Sequence, residues 1–374
     1  MVNPMRLLAS LLLTLTCALG SAQDVTRTSD VIYAKHDGVA LTMDVFTPAK
    51  PNGAAVIKIV SGGWNSNHNG ISDGGWPKHG FTTFVVVHGT QPRFHIDEIV
   101  ADLQRSVRFV RANAAKFGID PNKIGVTGGS AGGHLSLMLG TRVLPANPKS
   151  KDPVEHVSSA VNAVACYYPP VDFLSWAKEG DSKEGIGPLT TRAPAFGPIV
   201  TTAEGRERAG RELSPLYGIS AQTPPTFIVQ GDADPLVPDS QARRYHARAQ
   251  EVGAKSDVLI RLGAAHGGWV EMADDSVRMA EWFSLHLLGQ QPAKPFTYDV
   301  HTLPSTPAPK KTKNRKEKAK EVEMRKVVGP PKDRARDTRP ERATVNTIYF
   351  GEWTPKEPEE PRPERTRARK KRRR

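Results

Sequence analysis

The sequence predicts an α/β protein built on a mostly parallel central sheet with helices on both faces. Three observations carry this. Continuous apolar runs at residues 54–60 and 81–87 read as strands covered on both sides. Other segments repeat apolar residues every three or four positions, as helices do. Strand and helix then alternate through residues 24–302, the rhythm of parallel strands joined by crossover helices.

Taken in order, the N-terminus reads as a secretory signal. Arg6 precedes a short apolar stretch at 7–19, and Gly20, Ser21 and Ala22 offer a cleavage site after Ala22 or slightly before it. The stretch falls short of the ~20 residues of a spanning helix, and an uncleaved anchor is the alternative. Cys17 follows Thr14-Leu15-Thr16 without the small residue that a lipoprotein signal places there. Removal of residues 1–22 leaves Cys166 alone, so no intrachain disulfide forms. A periplasmic or secreted protein is expected.

Residues 31–46 alternate around His36-Asp37-Gly38, a hairpin pattern. The strands 54–60 and 81–87 flank a Gly, Asn and Trp loop at 61–76. Residues 97–117 predict one helix, with Ile99, Leu103, Val107, Val110 and Ala114 on one face, stopped by Gly118-Ile119-Asp120-Pro121. A short strand at 124–127 leads into a helix at 131–139. Strands at 161–168, 227–230 and 258–262 and helices at 241–252 and 270–288 complete the domain. Residues 173–213 break the rhythm; their Gly, Pro, Thr and charge predict an insertion with little regular structure beside the substrate site.

The net charge of +13 is not a property of this domain. Residues 303–374 hold 24 Lys and Arg against 11 Asp and Glu, which accounts for all of it. The globular part is neutral, so the basic balance does not argue for a nucleic-acid cleft. The tail is too poor in apolar residues to fold alone. Its cationic end suits anionic polysaccharide, cell-wall polymer or a membrane surface, nucleic acid being the least natural partner after export. A more apolar patch lies at 347–353.

The chemistry centres on Gly128-Gly129-Ser130-Ala131-Gly132-Gly133-His134, a G-x-S-x-G string between a strand and a helix. Such a turn lifts the serine hydroxyl clear of the sheet. A neutral hydroxyl is a weak nucleophile and needs a base. Asp234 follows the strand ending at 230 and His266 follows the strand ending at 262, both at the sheet edge that carries Ser130. His266 is expected as the base, with Asp234 orienting it. Asp232 is the rival acid, though it better suits shaping the turn. The oxyanion is expected to meet the N–H groups of Ala131, Gly62 and Gly63. His134 is expected to pack or bond locally, and His88 and His68 lie near cleft loops. No cofactor or metal is expected.

Together these residues resemble the α/β-hydrolase superfamily, in particular the hormone-sensitive-lipase-like and BD-FAE-like esterases. The resemblance covers about residues 30–290. It rests on Gly62-Gly63-Trp64, the 128–134 string, Gly231 to Pro238, Ala265-His266-Gly267, residues 109–121 and Ser214-Pro215-Leu216. It implies hydrolysis of small-acid esters, often acetyl or feruloyl groups on polysaccharides. Two departures stand out. The family's H-G-G-G-W is Val60-Ser61-Gly62-Gly63-Trp64 here, losing the orienting histidine, and His88-Gly89 replaces the usual tyrosine–arginine pair. The first keeps the two glycines, so the oxyanion hole is expected to survive with its loop differently braced; the second puts the substrate preference in question. The rival readings are a prolyl-oligopeptidase-like peptidase, which would want a large N-terminal region, and an inert domain bearing a polyanion-binding tail.

Overall fold

The computed structural model describes residues 25–181 and 187–307. The signal read at 1–22, and the tail read at 303–374 apart from its first five residues, lie outside that range.

The predicted architecture is present. The hairpin is β1 (Val25–His36) and β2 (Val39–Pro48). β3 (Ala55–Val60), β4 (Thr82–Val87), β5 (Ile124–Gly129), β6 (Ala163–Tyr167), β7 (Thr226–Gly231), β8 (Ser256–Leu262) and β9 (Val300–Pro304) follow. Among the described residues they form one sheet in the order β1-β2-β4-β3-β5-β6-β7-β8-β9. β1–β2 and β2–β4 pair antiparallel and every other pair is parallel. All six residues of β4 are buried, as a strand sandwiched between helical layers requires.

One face is covered by α1 (Ile96–Ala112), α3 (Ala131–Thr141) and α7 (Ser240–Glu251), the other by α8 (Met272–Leu288). α1 buries Ile99, Leu103, Val107 and Val110, and α8 drives Trp282 and Phe283 against Phe227, Trp76 and Phe81. The helix expected over 97–117 is broken at Asn113, whose backbone and side-chain N–H groups both donate to the Phe109 carbonyl. Asn offers the backbone such alternatives to the helical bond, and a separate turn, α2 (Ala114–Phe117), follows.

The structure differs from expectation in two places. Residues 173–213 are not irregular. They contain α4 (Pro188–Thr191), α5 (Ala193–Phe196) and α6 (Ala203–Leu213). α6 starts at Thr202, whose hydroxyl accepts the Gly205 N–H. It was obscured because its buried face is only Ala209, Gly210 and Leu213, while long charged side chains fill the rest. Gln241 of α7 stitches the start of this insertion to the core, accepting the N–H groups of Val171 and Asp172 and donating to the Ser175 and Trp176 carbonyls. Secondly, the domain runs past 302: β9 extends to Pro304, and Trp269 bridges to Pro307. Backbone pairing to β8 holds this strand, so its exposed, mixed side chains show no period.

Candidate active site

β5 ends at Gly129 and the chain turns sharply at Ser130, whose φ of 54° lies in the left-handed region that a β-carbon disfavours. The turn is locked by Ser130 N–H donating to the Tyr167 carbonyl and by His134 N–H donating to Ser130 O. It also needs glycine: a Cβ on Gly128 would lie 2.5 Å from the Gly132 carbonyl, and one on Gly132 would lie 3.0 Å from Ile59 O. Ser130 is therefore the residue from which α3 starts, directly before Ala131. As the first residue of that helix, Ala131 has no carbonyl one turn earlier within it.

The loops after β7 and β8 meet there. His266 Nε2 lies 2.9 Å from Ser130 Oγ, and its Nδ1 lies 2.6 Å from Asp234 Oδ2. An ionised carboxylate only accepts, so Nδ1 carries the proton and Nε2 is left to accept from the serine hydroxyl. The Asp234 carboxylate is held from all sides. Oδ1 accepts the N–H groups of Leu236 and Val237, and Oδ2 accepts Gln230 Nε2. Asp232 is elsewhere, exposed and accepting the Gly263 N–H at 2.6 Å; it ties the two loops together and does not touch the imidazole.

The loop after β3 shows one departure from expectation. Gly62 N–H already donates to Asn65 O, and Asn65 N–H returns the bond to Gly62 O. That tight turn engages one of the three expected oxyanion donors, leaving Gly63 and Ala131. Loop 61–66 is braced by Ser66 Oγ donating to Val60 O and by Trp64, whose indole N–H donates to His134 Nδ1 at 3.1 Å. His134 Nε2 in turn donates to the Leu213 carbonyl at 2.7 Å. The two partners dictate one neutral tautomer. Burial agrees, pushing this imidazole down to about 4. Trp64 also packs edge-on against Phe173 and Phe196 of the insertion. His134 thus bonds across 70 residues to the loop and 79 to the end of α6, a longer reach than the local role its helix position predicts.

His88 and His68 do not reach Ser130's partners. His88 is buried, donates from Nδ1 to the Gly89 carbonyl, and is pushed down to about 4 by burial. His68 sits at the surface against Thr42. Cys166 is a buried free thiol inside β6, pushed well up by desolvation. Among the described residues no group of three His, Cys, Asp or Glu is placed to hold a metal ion.

Sequence spacing did not reveal Gln230, Tyr168 or Trp269. The Tyr168 ring lies 4.4 Å from the His266 ring and 6.1 Å from the Trp269 ring. Arg261, at 7% exposure, pairs with Asp275, which also accepts the Trp269 indole N–H at 2.7 Å. Only the position of Gln230, four residues before Asp234 at a strand end, hinted at its role.

The BD-FAE family model matches residues 43–248, more than half of the chain. The chain is 28% identical to esterase LipQ of Mycobacterium tuberculosis, with 56% of this chain and 49% of that protein covered. It is 27% identical to an acetylxylan esterase of Xylanibacter ruminicola, with 62% and 44% covered. The chain thus spans about half the length of the curated relatives it matches. A truncated carbohydrate esterase from gut microbiota superposes with a TM-score of 0.59 at 25% identity, covering 70% of this chain and 96% of its own. Esterase 2 of Thermogutta terrifontis superposes at 0.55 and 24% identity, covering 74% and 97%. The fold is the α/β-hydrolase fold.

Proposed function

Since the chain belongs to the BD-FAE family, we propose that it hydrolyses carboxylic esters through an acyl-enzyme formed on Ser130. The observation that carries this is the unbroken hydrogen-bonded chain from Ser130 Oγ through His266 to Asp234, at 2.9 and 2.6 Å. Ser130 Oγ attacks the ester carbonyl carbon while its proton passes to His266 Nε2. The carbonyl oxygen, now negative, is received by the N–H groups of Ala131 and Gly63 at the mouth of α3. Collapse breaks the bond to the alcohol oxygen, which leaves with the proton from His266. Water then repeats the sequence on the acyl-serine and releases the acid. Asp234 keeps the imidazole in the required tautomer and stabilises its cation.

The substrates we propose are acetyl or feruloyl esters of polysaccharides. Support comes from the acetylxylan esterase and carbohydrate esterase among the similar proteins. The leader read at 1–22 supports a periplasmic or secreted site of action, and the basic tail supports retention on an anionic polymer or membrane surface. The test is covalent labelling by a fluorophosphonate together with hydrolysis of p-nitrophenyl acetate. Wild type is expected to do both and Ser130→Ala neither; a wild type that does not label sinks the reading. A panel of acetylated, feruloylated and longer-chain esters then fixes the acyl preference.

A further inference from the structure

We propose that the Tyr168 hydroxyl is a substrate contact on the leaving-group side of the site, donating to an oxygen of the alcohol moiety next to the scissile ester. The inference rests on the ester-hydrolase reading and extends it to the alcohol: the site selects esters of polyols, whose ester oxygen has a hydroxyl neighbour.

Tyr168 is the residue after β6, which lies between β5, the strand that runs into Ser130, and β7, the strand that leads to Asp234. Its φ is +37°, a conformation that a bulky residue seldom holds. Its N–H is committed to the Val229 carbonyl at 2.8 Å, so the backbone is pinned where the strain arises. Strain of this kind is kept where the surroundings over-determine it, and functional sites are where it gathers. Here it aims the ring at the imidazole of His266, 4.4 Å away.

The hydroxyl sits between the residue before the nucleophile and the residue after the imidazole. A Cβ on Gly129 would lie 3.3 Å from Tyr168 Oη, and one on Gly267 would lie 3.0 Å from it. Both flanking positions leave the hydroxyl room because they lack side chains. Yet among the described residues this hydroxyl bonds to nothing. Four other tyrosines of the domain have partners: Tyr33 with the Val87 carbonyl, Tyr167 with Ser276, Tyr217 with Asp172 and Tyr245 with Thr226. Tyr298 shares the lack of one but lies beside Trp282 and His286, away from Ser130 and His266. Burial, reinforced by the nearby Asp234 charge, pushes the phenol up, so it stays an O–H donor at neutral pH. A half-buried donor without a partner is a group that a ligand completes.

Its side of the site decides which ligand atom. The oxyanion N–H groups come from the β3 loop and the start of α3. The alcohol oxygen has to lie within reach of His266 Nε2, from which it takes its proton. Tyr168 flanks that imidazole, so its hydroxyl serves the alcohol and not the acyl carbonyl.

The test is Tyr168→Phe in the full chain, assayed on a mono-O-acetylated methyl xyloside with a free neighbouring hydroxyl and on phenyl acetate, which has none. Loss of one hydrogen bond predicts about a tenfold fall in kcat/KM on the xyloside and less than about a twofold change on phenyl acetate. The fluorophosphonate labelling rate and the melting temperature are expected to match wild type. An equal fall on both substrates makes Tyr168 a positioning residue for His266 and overturns the proposal, as does no fall on either. A wild type active on phenyl acetate but not on the xyloside overturns it while leaving the esterase reading intact. Absence of labelling and of all hydrolysis ends the esterase reading first.

Discussion

The loops after β3 and after β8 both reach Ser130, but they are anchored by opposite means. The β3 loop hangs on a neutral relay, from the Trp64 indole through the His134 imidazole to the Leu213 carbonyl, packed among Phe173 and Phe196. The β8 loop hangs on charge: Arg261 and Asp275 pair below it, and Asp275 also takes the Trp269 indole N–H. In the proposed reaction the first loop has to present backbone N–H groups without moving, and aromatic packing against the insertion holds it in place. The second has to hold an imidazole that becomes charged in that proposed reaction, and it is tied to the sheet and to α8. A neutral relay depends on one tautomer. An ion pair depends on both charges being present.

Removing what the two loops serve has the largest effect. Ser130→Ala or His266→Ala is expected to lower kcat by ~10⁴-fold or more, with Asp234→Asn within about tenfold of that; steady-state kinetics on p-nitrophenyl acetate checks it. Breaking the ionic anchor comes next. Asp275→Asn strands the buried Arg261 guanidinium, and a loss of about 3–5 kcal/mol in unfolding free energy is expected by denaturant titration. The paired change Arg261→Met with Asp275→Leu recovers only part of it, because the buried Trp269 indole N–H is left without its acceptor.

Acid instead threatens the neutral relay, through His134, together with a second buried imidazole outside it, His88. His134 and His88 are both pushed down to about 4 by burial, while in the unfolded chain they titrate near ~6.5. The unfolded state therefore binds protons first. Stability is full above pH ~6.5 and falls toward pH ~4, on the order of 3 kcal/mol for each group. The melting temperature between pH 7 and 4.5 is expected to fall less steeply in His134→Gln. The smallest effect is Trp64→Phe, which keeps the packing and deletes the indole N–H. A fall in kcat of about tenfold with KM unchanged is expected as the Gly63 N–H loses its aim.

The same contrast explains what was readable in advance. Ser130, Asp234 and His266 each follow a strand directly, so position along the chain singles them out. The elbow's glycines are legible because a sharp turn leaves no room for Cβ. By contrast Tyr168 looks like the last residue of an apolar run, and Trp269 looks like one more hydrophobe before a helix. His134 sits on a helix whose other residues pack locally. Nothing in their neighbourhoods indicates partners 70 to 100 residues away. The lost loop histidine at Val60 is visible in the chain, but the relay through His134 that braces the loop is not. Gly62 looks as available as Gly63 until the turn with Asn65 is seen to engage it. α6 escaped notice because small residues make up its buried face, and β9 because pairing with β8 outweighs its weak pattern.

By itself the sequence determined the alternation of strands and helices, the neutral charge of the domain and the loops that carry Ser130, Asp234 and His266. These follow from local rules: the period of apolar residues, the steric freedom of glycine and the chain order of strand ends. Only the tertiary structure decided which donors stay unengaged, which imidazole is held neutral and which hydroxyl is left without a partner. Those are properties of groups that meet across long stretches of chain, and burial acts on the meeting, not on the residue.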